Sequence, residues 1–461
     1  MIPSLLVSLF FSILLFVGFK SNTKDTLKDF VYSGRKVTTP ALIATLVTTW
    51  YGGINEIGIE VIYNGIVTWI YFGLFYYIAA LLYAYIIAPR IINKNYRSIP
   101  VTIYKTYGKI PGLISLSTLL LYLIPASYIL ILGQLISEIF DINLILAILL
   151  GSIFSTAYTL KGGFASILRT DQIQFIFMFI GFMTLFIFLC FSESYGLSLI
   201  KNLYHRQTDL FKIPGNAPWS YIIMFAFLAL LTFLDPSFHQ RTFAGENLKT
   251  VQKSIIISVL CWLVFDLITI MTALFYIEIA FRNGFDIYNT SSPYIELAQI
   301  VFKDNPFLMG VFFISILSVV MSTIDSYTFL SSITLKYDLN TILERKTNVK
   351  EIKNTIVLVL ILSFLLSLLF DRALSYWYYF GSYVLVSTFF PLITALFDIK
   401  IKNVTLMMVT SLICTILWDI GILFNKVTIP SIYVGLSISL IFVTFQKFKK
   451  ILIFNFKKNK T

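Results

Sequence analysis

Long apolar runs follow one another along almost the whole chain and are separated by short polar stretches. An α-helix needs about 20 apolar residues to cross the hydrocarbon core of a bilayer, and it satisfies its own backbone hydrogen bonds there. The pattern therefore predicts an all-α polytopic membrane protein with about 13 transmembrane helices. The predicted spans lie near residues 2–19, 39–64, 65–89, 109–137, 142–160, 164–191, 217–236, 254–281, 306–334, 354–370, 374–397, 404–424 and 430–446.

Composition supports this prediction. Of the 461 residues, 58% are hydrophobic and only 13% are charged, which is more apolar surface than a soluble protein can bury. The first run resembles a signal peptide in length, but it lacks a positively charged start and a small-residue cleavage site, so we expect a retained helix.

The basic residues predict an orientation. Most of the 35 lysines and arginines fall in one alternating set of loops, which the positive-inside rule places in the cytoplasm. We therefore expect a multi-pass protein of the inner (plasma) membrane, with the N-terminus outside and the C-terminus inside. Anchoring in the lipid bilayer explains the net charge of +12 better than nucleic-acid binding does. The sequence predicts no oligomeric state.

Sequence signatures of enzymes are missing. The sequence contains no GxxxxGK[ST], GxGxxG or HExxH motif. Its 3 cysteines lie in apolar runs without a CxxC pair, and 2 histidines cannot build a histidine-based metal centre. We therefore predict that the protein is not an enzyme.

The second predicted span contains the motif "TWYGGINEIG", residues 49–58. A glycine pair weakens a helix, by about 1 kcal/mol per glycine relative to alanine. The pair could serve close helix packing. Alternatively, it marks an unwound segment whose carbonyls bind an ion, and the polar Thr48, Thr49 and Asn55 beside it favour this second interpretation.

The motif "MSTIDSYTFLSS", residues 321–332, places unusual polarity in an apolar run. Ser322, Asp325 and Ser326 stand at i, i+3 and i+4, so their side chains share one helix face. Hydroxyls often bond to neighbouring helices or to the i−4 carbonyl, which explains the serines without an ion. A carboxylate inside the membrane is a functional candidate, and hard cations such as sodium prefer oxygen ligands.

Three further motifs allow two interpretations each. In "YTLKGGFASILRTDQIQ", Asp171 is either an ion ligand or an interfacial partner of Arg169. In "DPSFHQRTFAGEN", we expect Pro236 to end a helix and Arg241 to lie in a cytoplasmic loop, although the segment could also form a gate. In "SYWYYFGSY", residues 376–379 are typical of an interfacial aromatic belt, whereas the deeper Tyr383 could face a solute.

Taken in order, these segments resemble the sodium:solute symporter family, which includes sodium–glucose, sodium–proline and sialic acid transporters. The resemblance covers residues 32 to about 340 and extends loosely to 398. It implies a leucine-transporter-type core of two inverted five-helix repeats, 39–191 and 217–397. The remaining parts would be an N-terminal helix with a cytoplasmic loop (1–38), an extracellular loop (192–216), and two accessory helices with a basic tail (398–461).

The resemblance also implies ligands. A first sodium site would use carbonyls near Thr48 and Tyr51 and the hydroxyls of Ser322 and Thr323. A second ion site would use Asp171, Ser322, Asp325 and Ser326. Sialic acid transporters have serine where this chain has Asp325, so that residue could bind sodium or carry a proton. Solute contacts would fall at Ile54, Asn55 and Tyr383.

The expected function is sodium-coupled symport of a small polar organic solute by alternating access, with sodium as the coupling ion. Proton-coupled symport on the same fold is the first alternative. A transporter-like solute sensor is the second, although the tail after residue 446 is too short to fold as a signalling domain.

Overall fold

A computed structural model of the protein describes residues 2–21, 26–95, 98–192, 194–369, 372–399, 401–423 and 429–458, with the backbone alone for 423 and 446–458. Regular structure within these ranges is helical, apart from an isolated bridge between Val37 and Gly245. The first half contains α1 (Ile2–Phe19), α2 (Thr39–Trp50), α3 (Ile54–Asn64), α4 (Ile70–Lys94), α5 (Lys109–Leu123), α6 (Ala126–Phe140), α7 (Leu144–Thr156) and α8 (Phe164–Phe191). The second half contains α9 (Trp219–Leu228), α10 (Pro236–Ala244), α11 (Leu248–Asn283), α12 (Pro306–Ser332), α13 (Val349–Ser367), α14 (Ala373–Leu396), α15 (Val404–Leu423) and α16 (Ser431–Lys458).

Within the described residues, 10 helical segments are long and apolar enough to cross a membrane. The other three predicted spans coincide with helices that are too short or not apolar enough to meet this criterion. The span 39–64 is divided into α2 and α3. The span 354–370 corresponds to α13, which begins with several charged residues, and the span 430–446 corresponds to α16, whose apolar part is short. The all-helical membrane architecture is confirmed, whereas the number 13 stays a prediction.

The glycine pair interrupts the helix, as its sequence predicted. Tyr51 (φ −96°, ψ 19°) and Gly53 (φ −93°, ψ 26°) leave helical geometry between α2 and α3. A Cβ atom at position 52 would lie 2.5 Å from the Thr323 hydroxyl, so α12 approaches the interruption closely only because Gly52 has no side chain.

A central group of four helices surrounds this interruption. α2 packs against α8, α11 and α12, and α12 also packs along α8. Small residues allow the α8–α12 contact, where the Ser315 hydroxyl donates to the Met178 carbonyl at 2.8 Å. Every residue of α12 from Phe312 to Ser332 is buried, so its polar side chains lie inside the helix bundle.

The segment around Pro236 corrects the sequence prediction. Pro236 does not end a helix before a cytoplasmic loop but opens α10, with Asp235 as its N-cap. The Asp235 carboxylate accepts a hydrogen bond from the Ser237 amide at 2.7 Å. Because proline is favoured in the first turn of a helix, the residue that suggested an end marks a start. Arg241 consequently lies inside the protein, with 1% of its surface exposed.

The proposed aromatic belt was also wrong for two of its members. Pro125 interrupts the segment between α5 and α6 and has no amide to bond the carbonyl of Leu121. The Tyr376 hydroxyl donates to that carbonyl at 2.5 Å, and the Trp377 indole donates to Ser127 at 2.9 Å. Both side chains therefore point into the helix bundle instead of towards a membrane interface.

Candidate functional site

Buried polar side chains meet where α2 is interrupted. We call this group the polar cluster, and each member is at most 7% exposed. Its members come from α2, α8, α10 and α12: Thr45, Thr48, Thr49, Asp171, Arg241, Ser322, Thr323 and Ser326.

Ser322 is the centre of an oxygen-rich arrangement. Its hydroxyl oxygen lies 2.8 Å from the Thr48 hydroxyl and 2.7 Å from an Asp171 carboxylate oxygen. Thr48 donates its own proton to the Ala44 carbonyl at 2.8 Å. Ser322 therefore has one proton for two acceptors. The hydroxyl oxygens of Ser322 and Thr48 and the carboxylate oxygen of Asp171 have few protons among them, so together they form a ligand set suited to a hard cation.

The neighbouring hydroxyl joins α12 to the backbone of α2. Thr323 donates to the Thr49 carbonyl at 3.0 Å, in the last turn before the interruption. The Tyr51 side chain turns away and donates to the Trp262 carbonyl at 3.0 Å, while its own carbonyl accepts from the Ile54 amide at 2.9 Å. The structure thus brings Thr48, Ser322 and Thr323 together, and their role as sodium ligands stays a prediction.

Arg241 is the member that the sequence prediction missed. One guanidinium nitrogen donates to the hydroxyls of Thr45 (2.7 Å), Thr49 (2.8 Å) and Ser326 (3.0 Å). The Thr45 hydroxyl in turn donates to Asp171. A buried positive charge is thus connected through one hydroxyl to a buried carboxylate, and part of the predicted second ion site is bonded to an arginine.

Asp325 has different surroundings from Ser322, although both lie on α12. Its carboxylate accepts from the Ser155 hydroxyl at 2.6 Å and from the Tyr158 hydroxyl, at the end of α7 and just beyond it. Among the predicted second-site residues, only Asp171 and Ser322 are joined by a hydrogen bond in the described part of the chain. That site stays a prediction.

A cavity of about 140 Å³ adjoins the polar cluster and shares Thr49 and Arg241 with it. We call it the aromatic cavity because about half of its lining residues carry aromatic rings. The tyrosines and tryptophans of its wall include Trp50, Tyr76, Tyr122, Tyr128, Tyr327 and Trp377. Asp235, Thr232 and Ser237 supply further polar side chains, and Gly53 contributes the interrupted backbone.

The residues predicted to contact solute lie outside this lining. Ile54 is fully buried, and the Asn55 amide donates to Ser292 at 3.1 Å. Gly53 and Ile57, on either side of them, do line the cavity. Tyr383 is half-buried on α14 and is also not among the lining residues. The predicted roles of these three residues in solute binding stay predictions.

An ion-pair group joins α3 to the start of α14. One Arg372 nitrogen lies 2.6 Å from Glu56 and 3.4 Å from Glu60. Glu56 also accepts from the Ala373 amide at 3.1 Å, at the first residue of α14. We call these residues the Arg372 clasp. It joins two helices that both line the cavity, through Ile57 and Leu374.

Comparison with known sequences gives three findings. The sequence model of the sodium:solute symporter family matches residues 30–415. A sodium/proline symporter of Haemophilus influenzae is 28% identical over 264 residues, which cover 54% of this chain and 51% of that protein. The high-affinity proline transporter PutP of Bacillus subtilis is 28% identical over 185 residues, 40% of this chain and 38% of that protein. The chain thus spans about half the length of the first of these relatives and a smaller part of the second.

Comparison with solved structures gives the fold. A sodium-coupled sialic acid symporter in a substrate-bound outward-open state matches with a TM-score of 0.77 at 17% identity, over 96% of both chains. MHP1, a nucleobase-cation-symport-1 transporter, matches with a TM-score of 0.56 at 13% identity, over 92% of this chain and 95% of its own. These likenesses confirm the predicted leucine-transporter-type architecture.

Proposed function

Since this chain belongs to the sodium:solute symporter family, we propose that it moves a small organic solute across a membrane together with sodium. The observation that carries the proposal is the contact of Ser322 with Thr48 and Asp171 beside the interruption of α2. Two hydroxyls and a carboxylate in a buried site, next to carbonyls at a helix end, offer a sodium ion the oxygen ligands it prefers.

The ion would act as a bridge between two helices. Carbonyls near Thr48 and Tyr51 would hold it from the α2 side, and Ser322 and Thr323 would hold it from α12. Binding would stabilise the arrangement in which α2, α3 and α12 enclose the aromatic cavity. A ligand shifts a conformational equilibrium only by its difference in affinity for the two states, and a bridging site provides that difference.

The proposal includes the setting of transport. The core would be the repeats 39–191 and 217–397, which alternate the access of the cavity between the two sides of a bacterial inner membrane. The N-terminus would lie outside and the C-terminus in the cytoplasm. Because the curated relatives transport proline, proline is the first solute to test.

Asp325 supports a second candidate function, proton coupling. Its carboxylate is fully buried and bonded to the hydroxyls of Ser155 and Tyr158. In the described part of the chain, no lysine or arginine forms an ion pair with it. A carboxyl group surrounded by hydroxyls in a low-dielectric interior is suited to carrying a proton.

The first experiment measures the thermal stability of the purified protein in sodium and in potassium at equal ionic strength. At 100 times its dissociation constant, a ligand adds about 2.7 kcal/mol of stability. We expect sodium to raise the melting temperature of the wild type and not that of Ser322→Ala combined with Thr323→Ala. The matched control is Thr355→Ala with Ser363→Ala, because these hydroxyls bond only within α13.

The same preparation, in proteoliposomes, then tests transport. We expect a sodium gradient to drive proline uptake by the wild type and the α13 control, and not by the Ser322/Thr323 variant. Equal melting temperatures in sodium and potassium for the wild type would contradict sodium coupling. Uptake that needs an acidic exterior but no sodium would select the proton-coupled alternative.

A further inference from the structure

We propose that a second, smaller cavity, just beyond the end of α12, binds one monovalent cation, sodium or potassium, with the Asp338 carboxylate as its counter-charge. We call it the small cavity. It is separate from the polar cluster, because Asp338 follows Ser322 by 16 residues, which places the two on the order of 20 Å apart along the helix. The inference goes beyond the proposed function and does not depend on it.

The small cavity lies where four parts of the chain meet, and its volume is about 20 Å³. Its walls come from the helix Leu27–Tyr32, the start of the helix Ile99–Tyr107, α10, and the π-helical segment Ile333–Asp338 that continues α12. π-helical turns are rare and recur at functional sites. The Gln240 side chain donates to the Val31 carbonyl at 2.9 Å and so joins two of these walls. An ion held here would contact several elements at once and would stabilise their junction.

Asp338 is a buried carboxylate without a counter-charge. It lines the small cavity and is 1% exposed, and its Oδ1 atom has no hydrogen-bond partner in the described part of the chain. Within the same residues, no lysine, arginine or histidine nitrogen lies within 4.0 Å of the carboxylate. The polar side chain that acts on it is that of Ser98, a neutral hydroxyl. An unpaired charge is costly in a low-dielectric interior, so this carboxylate needs either a cation or a proton.

The space beside the carboxylate favours a cation over a proton or a water molecule. A proton would neutralise the charge without needing any cavity, and a water molecule would fill the cavity without neutralising the charge. A cavity needs about 10–15 Å³ to hold one water-sized particle, and this one has about 20 Å³. Room for a single particle next to one uncompensated negative charge suits one monatomic cation, and the same volume excludes an organic solute.

The ligand chemistry indicates a monovalent ion. The side-chain oxygens of Asp338, Ser98 and Thr334 are hard ligands, and one carboxylate balances one positive charge. His239 also lines the cavity, but its Nε2 atom donates to the Phe233 carbonyl at 2.8 Å. Within the residues that the structure describes, no three histidine, cysteine, aspartate or glutamate side chains come together to hold a transition metal. One carboxylate and two hydroxyls do not complete an oxygen cage that would select between sodium and potassium, so either ion fits.

The test uses the variant Ser322→Ala with Thr323→Ala, in which the proposed sodium site is removed. Its melting temperature is measured in sodium, in potassium and in N-methyl-D-glucamine, a cation too large for the small cavity, at equal ionic strength. We expect sodium and potassium each to raise the melting temperature saturably above its value in N-methyl-D-glucamine. Adding Asp338→Asn should raise the half-saturating concentration at least tenfold, because a neutral amide cannot balance the charge of the ion. Since potassium also fills the small cavity, the difference between sodium and potassium in the wild type still reports the site between α2 and α12.

Asp419→Asn is the matched control and should leave the half-saturating concentration unchanged. Asp419 is a buried carboxylate on α15 that has no hydrogen-bond partner in the described part of the chain and does not line the small cavity. Ser98→Gly is a second variant, used in case Asp338→Asn does not fold. Ser98 is the N-cap of its helix, where glycine is tolerated, so its loss should weaken binding severalfold without unfolding the helix.

Four results would overturn the inference. They are a melting temperature that is the same in all three cations, unchanged binding in Asp338→Asn, an equal loss in Asp419→Asn, or unchanged binding in Ser98→Gly where that variant alone folds. If sodium still stabilises the wild type more than potassium does in those cases, the transport proposal stands. Stabilisation by both ions in the Ser322/Thr323 variant, with no difference between sodium and potassium in the wild type, would support the inference and reject sodium coupling.

Discussion

At the scale of single residues, Arg241 determines how charge is balanced in the polar cluster. Its bonds to three hydroxyls and its connection to Asp171 through Thr45 hold an opposite pair of charges inside a helix bundle. Removing one member of a buried charge pair costs roughly 3–5 kcal/mol, because the other charge loses its compensation.

Arg241→Gln should therefore destabilise the protein strongly in potassium and less in sodium, since a sodium ion near Asp171 would replace the lost positive charge. The measurement is the melting temperature of this variant, of Asp171→Asn and of the double variant in both salts. We expect the double variant to lose less than the sum of the single changes, with a coupling of about 0.5–3 kcal/mol. Additive losses, equal in both salts, would show that the two charges act separately.

Residues of the site differ in how far the sequence predicts them. The glycine pair and the polar face of α12 are local signals, but only the resemblance to the symporter family placed Ser322 and Thr323 beside the interruption of α2. Arg241 could not be placed, because a proline in the first turn of a helix resembles one after its end, and an arginine near a span end resembles a cytoplasmic anchor. The hydroxyls that bond its guanidinium belong to Thr45 and Thr49 on α2 and to Ser326 on α12, far from Arg241 in the chain, and only the folded structure brings them to it.

At the scale of elements, the Arg372 clasp ties α3 to the start of α14. The Arg372 side chain is 42% exposed, so solvent weakens its pairs with Glu56 and Glu60. Pairs of this kind contribute about 0.2–1 kcal/mol, which corresponds to at most about a fivefold change in an equilibrium. The clasp is thus strong enough to bias a movement of α14 and too weak to prevent it.

Arg372→Gln should favour the opening of the cavity between α3 and α14, and the equilibrium constant for opening should rise by up to about fivefold. The readout is the rate at which a membrane-impermeant maleimide labels Leu374→Cys, after Cys190, Cys261 and Cys414 are replaced by serine. Lys212→Gln is the matched control, because Lys212 forms an ion pair with Asp209 at 2.8 Å in a separate loop. A labelling rate that changes equally in both variants would show that the clasp does not hold the cavity closed.

The sequence predicted a structural element correctly where a single local signal was sufficient to identify it. The apolar runs located the long helices, and the glycine pair located the interruption between α2 and α3. The interruption between α5 and α6 was not predicted, although Pro125 stands in that run, because membrane helices tolerate proline when a neighbour satisfies the freed carbonyl. Tyr376 is that neighbour, and its role depends on the packing of α14 against α5.

At the scale of the whole molecule, run lengths and loop charges were enough to predict a multi-span helical membrane protein. The resemblance of its ordered motifs to a symporter family predicted a transporter, and the family match over residues 30–415 agrees. The aromatic cavity was beyond such reasoning. Tyr76, Tyr128 and Tyr327 come from three separate helices, and each looks like an ordinary aromatic residue in an apolar run. The solute class is therefore a property of the assembled bundle.

The number of coupled ions is also a property of the whole molecule, and the maximal solute gradient reports it. Moving one charge through 100 mV yields about 2.3 kcal/mol, which supports roughly a 50-fold gradient of a solute without net charge. A second ion would roughly square this value. Ser326 is bonded to Arg241 and Asp325 faces α7, so the oxygens predicted for a second ion already have protein partners.

We therefore expect proteoliposomes with an inside-negative potential of about 100 mV, and equal sodium on both sides, to accumulate proline up to about 50-fold. The measurement is the plateau of radiolabelled uptake, and an ionophore that removes the potential should abolish it. A plateau far above this value would establish a second coupled ion, because each further charge multiplies the gradient that the potential supports.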